Sequence, residues 1–409
     1  MAKHPSIRFN DFSDEWEEKQ LNNFIEPSYE TNKDNKFTKD DVLSVSGEEG
    51  IVNQIEFKGR SFAGEFVDNY GVVNTGYIVY TKSPLKLNPY GIIKTNKGKP
   101  GIVSTLYAIY KPINNTYPDF VQEYFGCDQR LNKYLVKLVN KGAKNDMKVS
   151  SEEAISGLVS FPNRDEQIKL SIFFNYITKL IFSTQEKLEK AIILKKSMLE
   201  KMFPKVGEKS PELRFAGFTD DWKEKELGNY AEKITEKNTD NQYSDVFTNS
   251  AEYGIISQNE YFEREIANKN NLSGYYVAKP DVFVYNPRVS KTAPVGPIKR
   301  NKLGRTGVLS PLYFVFQTHD YDLSFLDYFF DGNTWHQFMR DNGNTGARFD
   351  RFSINEDSFL KMPIPTPSRE EQKQIGTFFV QMDSLIYSYR NELEKLKIIK
   401  KSLLEKMFV

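Results

Sequence analysis

The sequence predicts an α+β chain built twice over: a mixed α/β globular part followed by a long helix, then the same pair again. Three observations predict it. The phrase KKSMLEKMF (195–203) returns as KKSLLEKMF (400–408). Each copy closes a stretch whose apolar residues step by three and four, the helical period. Each such stretch follows short β-branched and aromatic runs cut by Gly, Pro and Asn, the pattern of strands and turns.

The chain has 409 residues, enough for two to four domains at roughly 100–200 residues each. Its 39% hydrophobic and 14% aromatic content suits packed cores rather than disorder. The net charge is +1, from 56 basic and 55 acidic residues. That excludes a wholly basic shell, so a nucleic-acid partner requires positive charge gathered on one face. The single cysteine, Cys127, cannot pair within the chain, which suits a reducing compartment. There is no apolar signal core in MAKHPSIRFNDF and no membrane-length apolar run. The expectation is a cytoplasmic protein without a membrane partner.

The elements follow in order. Residues 1–150 form the first globular part. It opens with IRFNDFSDEWEEKQLNNF (7–24), contains the strand-like GYIVYT, and carries Lys94, Lys97 and Lys99 in IIKTNKGKPG (92–101). Residues 151–204 form the first helical part. Asn163 and Glu166 have capping-box spacing, in which the Glu reaches back to the N-cap amide. Phe174, Ile177, Ile181, Thr184, Leu188, Ala191, Lys195, Met198 and Met202 then trace a heptad seam. Residues 205–211, KVGEKSP, are a polar linker.

The second globular part, 212–352, opens with LRFAGFTDDWKEKELGNY (213–230), half identical to the first opening. Arg8, Phe9, Phe12 and Trp16 match Arg214, Phe215, Phe218 and Trp222, and both tryptophans are expected in the core. VFVYN reads as a strand and LSFLDYFF as a helix. GIVSTLY (101–107) pairs with GVLSPLY (307–313), and Asn88-Pro89 with Asn286-Pro287. Residues 353–409 form the second helical part, with Ser368 and Glu371 at capping-box spacing. Its seam is Phe379, Met382, Ile386, Tyr389, Leu393, Leu396, Lys400, Leu403 and Met407. Lys195 and Lys400 are matching polar breaks. About 40 helical residues reach roughly 60 Å. Such matched seams suit pairing with each other, although spacing alone leaves the orientation open. The alternative is that each helix packs on its own domain.

The sequence carries no recognisable catalytic motif. The histidines His4, His319 and His336 sit in no metal-spaced cluster, so no metal ligand is assigned. No phosphate-cradling G-x-x-x-x-G-K-[ST] and no G-x-S-x-G elbow occur. Asn88-Pro89-Tyr90 is similar to the Asn-Pro-Pro-Tyr of adenine methyltransferases but lacks the second proline and a cofactor loop. Pro118-Asp119 and Pro280-Asp281 lack the acidic-x-Lys element of nucleases. No residue is assigned as catalytic, which points to a reader or a scaffold. The residues 287–307 hold Arg288, Lys291, Lys299, Arg300, Lys302 and Arg305 with no acid. Such a loop suits phosphate contact and guanine-edge reading. Arg348, in NTGAR (344–348), adds a further cation just before the second helix.

F-x-x-F-[ST]-D-x-W, then a variable region with G-[IV]-[LV]-S-x-L-Y, then P-x-x-x-E-Q and a helix ending L-E-K-M-F, all twice, resembles the specificity subunit of type I restriction–modification enzymes. The likeness spans essentially the whole chain. It implies two target-recognition domains, each reading one half of a bipartite double-stranded DNA site. It also implies an antiparallel coiled coil that sets the gap between half-sites. Two adenine-methylating modification subunits and the restriction/translocase subunits would dock on the helical regions through residues such as Phe174, Ile177, Ile181, Leu188, Met198, Phe379, Met382, Ile386, Leu393 and Leu403. The resemblance places S-adenosylmethionine, ATP and Mg on those partners, with no cofactor in this chain. Two readings compete with it: a coiled-coil protein adaptor without DNA binding, and a self-sufficient DNA-modifying enzyme.

Overall fold

A computed structural model describes residues 4–141, 147–261, 272–345 and 350–409. The chain forms two compact units, Met1–Gln185 with Asn391–Val409, and Glu186–Arg390. In the first, a four-stranded antiparallel sheet runs in the order Ile25–Pro27, Tyr107–Pro112, Ile78–Thr81, Ile93–Thr95. In the second, the order Ala231–Lys233, Phe314–Thr318, Phe283–Tyr285, Ile298–Arg300 repeats it.

Both faces of each sheet are buried. Successive side chains point to opposite faces. Thus Ile78, Tyr80 and Tyr110 join one core with the helix Pro118–Tyr124. Val79 and Ile109 join another, beneath the hairpin Leu43–Ser46/Gly50–Asn53 and the pair Gly71–Val73/Gly101–Val103. Phe283, Tyr285 and Phe316 pack with the expected helix Leu323–Asp331, while Val284 and Val315 pack with Phe247 and Leu309. Two-sided burial explains why these strands read as unbroken apolar runs rather than alternating ones.

The long helices are Arg164–Lys201 and Arg369–Lys406, 38 residues each. Asn163 Oδ1 accepts from the Glu166 amide at 3.0 Å, and Ser368 Oγ from the Glu371 amide at 3.3 Å. The other half of the expected capping box is replaced. The Glu166 carboxylate accepts two bonds from Arg8, at 2.8 and 2.7 Å, and that of Glu371 two from Arg214, at 2.6 and 2.8 Å. Both carboxylates are fully buried, and a buried charge needs a charged, forked partner more than a backbone amide needs a cap. The arginine of each opening motif is thereby bolted to the E-Q of a helix start.

Burial follows both seams. Phe174, Ile177, Thr184, Leu188, Ala191 and Met202 are buried, with Ile181, Lys195 and Met198 half-buried. Phe379, Met382, Leu393 and Met407 are buried, with Ile386, Tyr389, Leu396, Lys400 and Leu403 half-buried. In the first unit the rings of Phe174 and Phe408 are 5.4 Å apart, and Lys400 Nζ donates to Thr178 Oγ1 at 2.8 Å. In the second, Phe203 stacks on Phe379 at 6.2 Å, and Lys195 Nζ donates to Asp383 Oδ1 at 2.6 Å. Later residues of one helix meet earlier residues of the other, so the pairing is antiparallel in each unit.

The repeated L-E-K-M-F is a plug. Met407 and Phe408 enter the first unit's core, where Phe408 meets Trp16 at 6.2 Å and Phe120 at 5.6 Å. Met202 and Phe203 enter the second unit's core against Trp222, Phe325 and Phe329. Each long helix therefore starts in one unit and ends as core of the other. Both tryptophans are core anchors, 3% and 6% exposed. Among the described residues, no helix is long and apolar enough to cross a membrane.

Candidate nucleic-acid interface

The surface loops are set by the ends of the sheet strands. Tyr80 Oη donates to the carbonyl of Tyr90 at 2.6 Å, and Tyr285 Oη to that of Val295 at 2.9 Å. The next residues, Gly91 and Gly296, have φ of +91° and +82°. A Cβ there would lie 1.9 Å from the Thr81 carbonyl oxygen and 2.1 Å from that of Asn286, so only glycine closes either loop. Tyr80 therefore matches Tyr285, and loop 82–89 matches loop 287–294. This corrects the expected pairing of Asn88-Pro89 with Asn286-Pro287. KSPLKLNP and PRVSKTAP share only Lys86/Lys291 and Pro89/Pro294 at matching positions, so the sequences align on a chance Asn-Pro while backbone bonding sets the true register.

The two loops have one backbone frame. Leu85 and Asn88 exchange amide-to-carbonyl bonds of 3.0 and 3.2 Å, and Ser290 and Ala293 do the same at 3.0 and 3.2 Å. The Gly91 amide bonds the Asn88 carbonyl at 3.0 Å, and that of Gly296 bonds Ala293 at 3.1 Å. Lys86-Leu87 and Lys291-Thr292 are left at the tips, all four exposed. Lys291 was predicted as a site residue and Lys86 was missed. Its only sequence signal is its distance from a glycine whose role is visible in the fold alone.

A second loop pair follows the next strand. Asn96 and Asn301, each 1% exposed, donate to carbonyls around them, including Lys99 at 3.0 Å and Arg305 at 3.1 Å. These buried amides hold the loops 97–99 and 302–305. The cations on them divide. Lys97 pairs with Glu123 at 3.3 Å and donates to Asn175 at 2.5 Å. Lys299 pairs with Asp331 at 2.5 Å, Lys302 with Asp327, Arg305 with Asp245 at 3.0 Å, and Arg300 lies 3.8 Å from Asp281. Four of the six cations in the acid-free stretch, Lys299, Arg300, Lys302 and Arg305, thus face acids from elsewhere in their domain. Lys99, Arg288 and Lys291 are exposed and make no ion pair among the described residues. Arg288 faces Arg351 across an isolated antiparallel bridge. Arg348 lies outside the described residues.

Burial sets the local proton affinities. It lowers the pKa of Lys94, against a smaller opposing effect from Glu123, and it also lowers those of Lys82 and Lys400. Burial raises Asp327 despite Lys302. For Asp331 burial works the same way, but Lys299 and Lys195 outweigh it and hold the carboxyl below its usual range. Lys195 also lies over the Tyr328 ring at 5.0 Å, and Tyr328 Oη donates to Asp383 at 2.6 Å. The polar break in the first helix is therefore a half-buried anchor to the second globular domain.

The remaining sequence candidates do not converge. Asn88 donates to Asp128 at 2.9 Å and Asn286 to the Asn249 carbonyl at 2.9 Å, both turned into the fold. Asp119 lies in a helical first turn, and Asp281 holds a φ of +67°. Among the described residues, no group of three or more His, Cys, Asp or Glu is placed to hold a metal.

No protein-family model and no curated protein matches the chain. Solved structures do. The type I restriction–modification S subunit from M. genitalium is similar with a TM-score of 0.56 and 10% identity, over 99% of both chains. A chain from a structure of a type I R-M system, described for its complex assembly and conformational transition, is similar with a TM-score of 0.50 and 15% identity. That match spans 96% of this chain and 97% of that one. The chain has this fold along essentially its whole length.

Proposed function

We propose that this chain is the DNA sequence-specificity subunit of a type I restriction–modification complex. Each globular domain reads one half of a bipartite double-stranded target. The paired helices set the gap and dock the modification subunits, with the restriction/translocase subunits joining them. Methyl transfer and cleavage, with S-adenosylmethionine, ATP and Mg, belong to those partner chains. The observation that carries the reading is the duplicated frame. Two domains of one topology present the same two loops, each with a lysine at the same tip position, and differ in the residues around it. A shared cation suits the phosphates common to any duplex, and differing neighbours suit two different half-sites.

The proposal is tested by sequencing methylated adenines in a host with and without this chain. The expected result is a split motif with an unspecified gap that depends on the chain. Identical methylation in both hosts would remove the proposal.

A further inference from the structure

The two loop tips share a backbone and a lysine, so what differs between them is informative. Leu85 and Leu87 in the first domain occupy the positions of Ser290 and Thr292 in the second. Leu85 is 43% exposed and Leu87 69% exposed. The tip is held in place: Asn132 donates to the Leu87 carbonyl at 3.0 Å, and Asn88, 8% exposed, anchors the turn through Asp128. Both leucines stand exposed on an anchored turn beside Lys86, and neither joins a hydrophobic core of this domain. In the second domain the same positions carry hydroxyls, 3.2 Å apart.

We infer that loop 82–89 reads thymine in the first half-site, with Leu85 and Leu87 against 5-methyl groups in the major groove and Lys86 on a neighbouring phosphate. The inference rests on the specificity reading above. The chemistry follows from the base edges. The thymine methyl is the one apolar group they present in the major groove, which is wide enough for a two-stranded hairpin. An exposed leucine gains from covering a methyl and gains nothing from a donor or acceptor. Ser290 and Thr292 suit hydrogen-bonding edges instead, so the second half-site is read differently by the same frame.

The test selects duplexes from a random pool with the full-length chain, then replaces thymine by deoxyuridine at each selected position. Deoxyuridine removes only the methyl. At one half-site, wild-type affinity should fall about fourfold per contacted methyl. The double variant Leu85→Ala/Leu87→Ala should bind the thymine duplex more weakly and no longer distinguish it from the deoxyuridine duplex. Ser290→Ala/Thr292→Ala should keep the distinction. Lys86→Ala should weaken binding to every sequence and reduce the slope of log affinity against log salt by about 1. A selected site indifferent to deoxyuridine throughout, or a Leu85→Ala/Leu87→Ala variant that keeps the thymine preference, overturns the inference and leaves the specificity reading standing. If the folded chain selects no duplex, both fall.

Discussion

Glu371 is fully buried and accepts three hydrogen bonds, two from Arg214 and one from the Trp222 indole at 3.1 Å. Its counterpart Glu166 accepts two from Arg8, while the buried Trp16 indole nitrogen has no hydrogen-bond partner among the described residues. Removing one partner of a buried pair costs about 3–5 kcal/mol. Glu371→Gln should therefore lower the thermal midpoint more than Glu166→Gln does; equal shifts would contradict this account. The cations sort by the same logic. Arg300 is 13% exposed at its side chain and Arg288 is exposed. Arg300→Ala should reduce stability and leave the salt slope of DNA binding unchanged, whereas Arg288→Ala should reduce that slope by about 1 and spare stability. Lys94 offers a pH test. Its surroundings include Glu123, Asp128, Lys97 and Lys400. With its pKa lowered by burial, the unfolded chain binds the proton more tightly, so this lysine opposes folding at neutral pH and the opposition fades as pH rises toward about 10.4. Lys94→Met should raise the thermal midpoint at pH 7.5 by more than at pH 10. A constant difference would refute the burial. None of these partners was legible from sequence, because ion pairs form between residues far apart in the chain.

At the scale of elements, the long helices were the most legible part. A step of three and four over nine positions in each has no other regular reading, and every position in both seams is buried or half-buried. Their antiparallel pairing was not legible from spacing, since a heptad seam looks alike from either end. The function of L-E-K-M-F was hidden too, because a plug is defined by the pocket it enters. Phe203→Ala and Phe408→Ala should each cost about 3–5 kcal/mol, the range for emptying a buried aromatic position. Each loss should appear as earlier melting; unchanged melting would show the plugs to be peripheral. Sheet strands were found as apolar runs, but their order needed pairing partners far away in the chain, as Ile25 with Pro112 and Ala231 with Thr318.

At the scale of the whole molecule, duplication was written in the near-identical helix ends and the half-identical opening motifs. The domains between them repeat a fold with little shared sequence. Hydrophobic burial constrains the cores of both copies, while nothing in the fold constrains what stands on the loop tips. That freedom is why Lys86 and the leucines beside it escaped the sequence reading, and it is also what the proposed function requires. The account's central claim is that one domain reads one half-site. It is tested most directly by replacing residues 25–150 with the corresponding span of a relative of different specificity and mapping methylated adenines in the host. The account predicts that one half of the split motif changes while the other half and the level of methylation persist. A motif unchanged in both halves, with methylation intact, would contradict it.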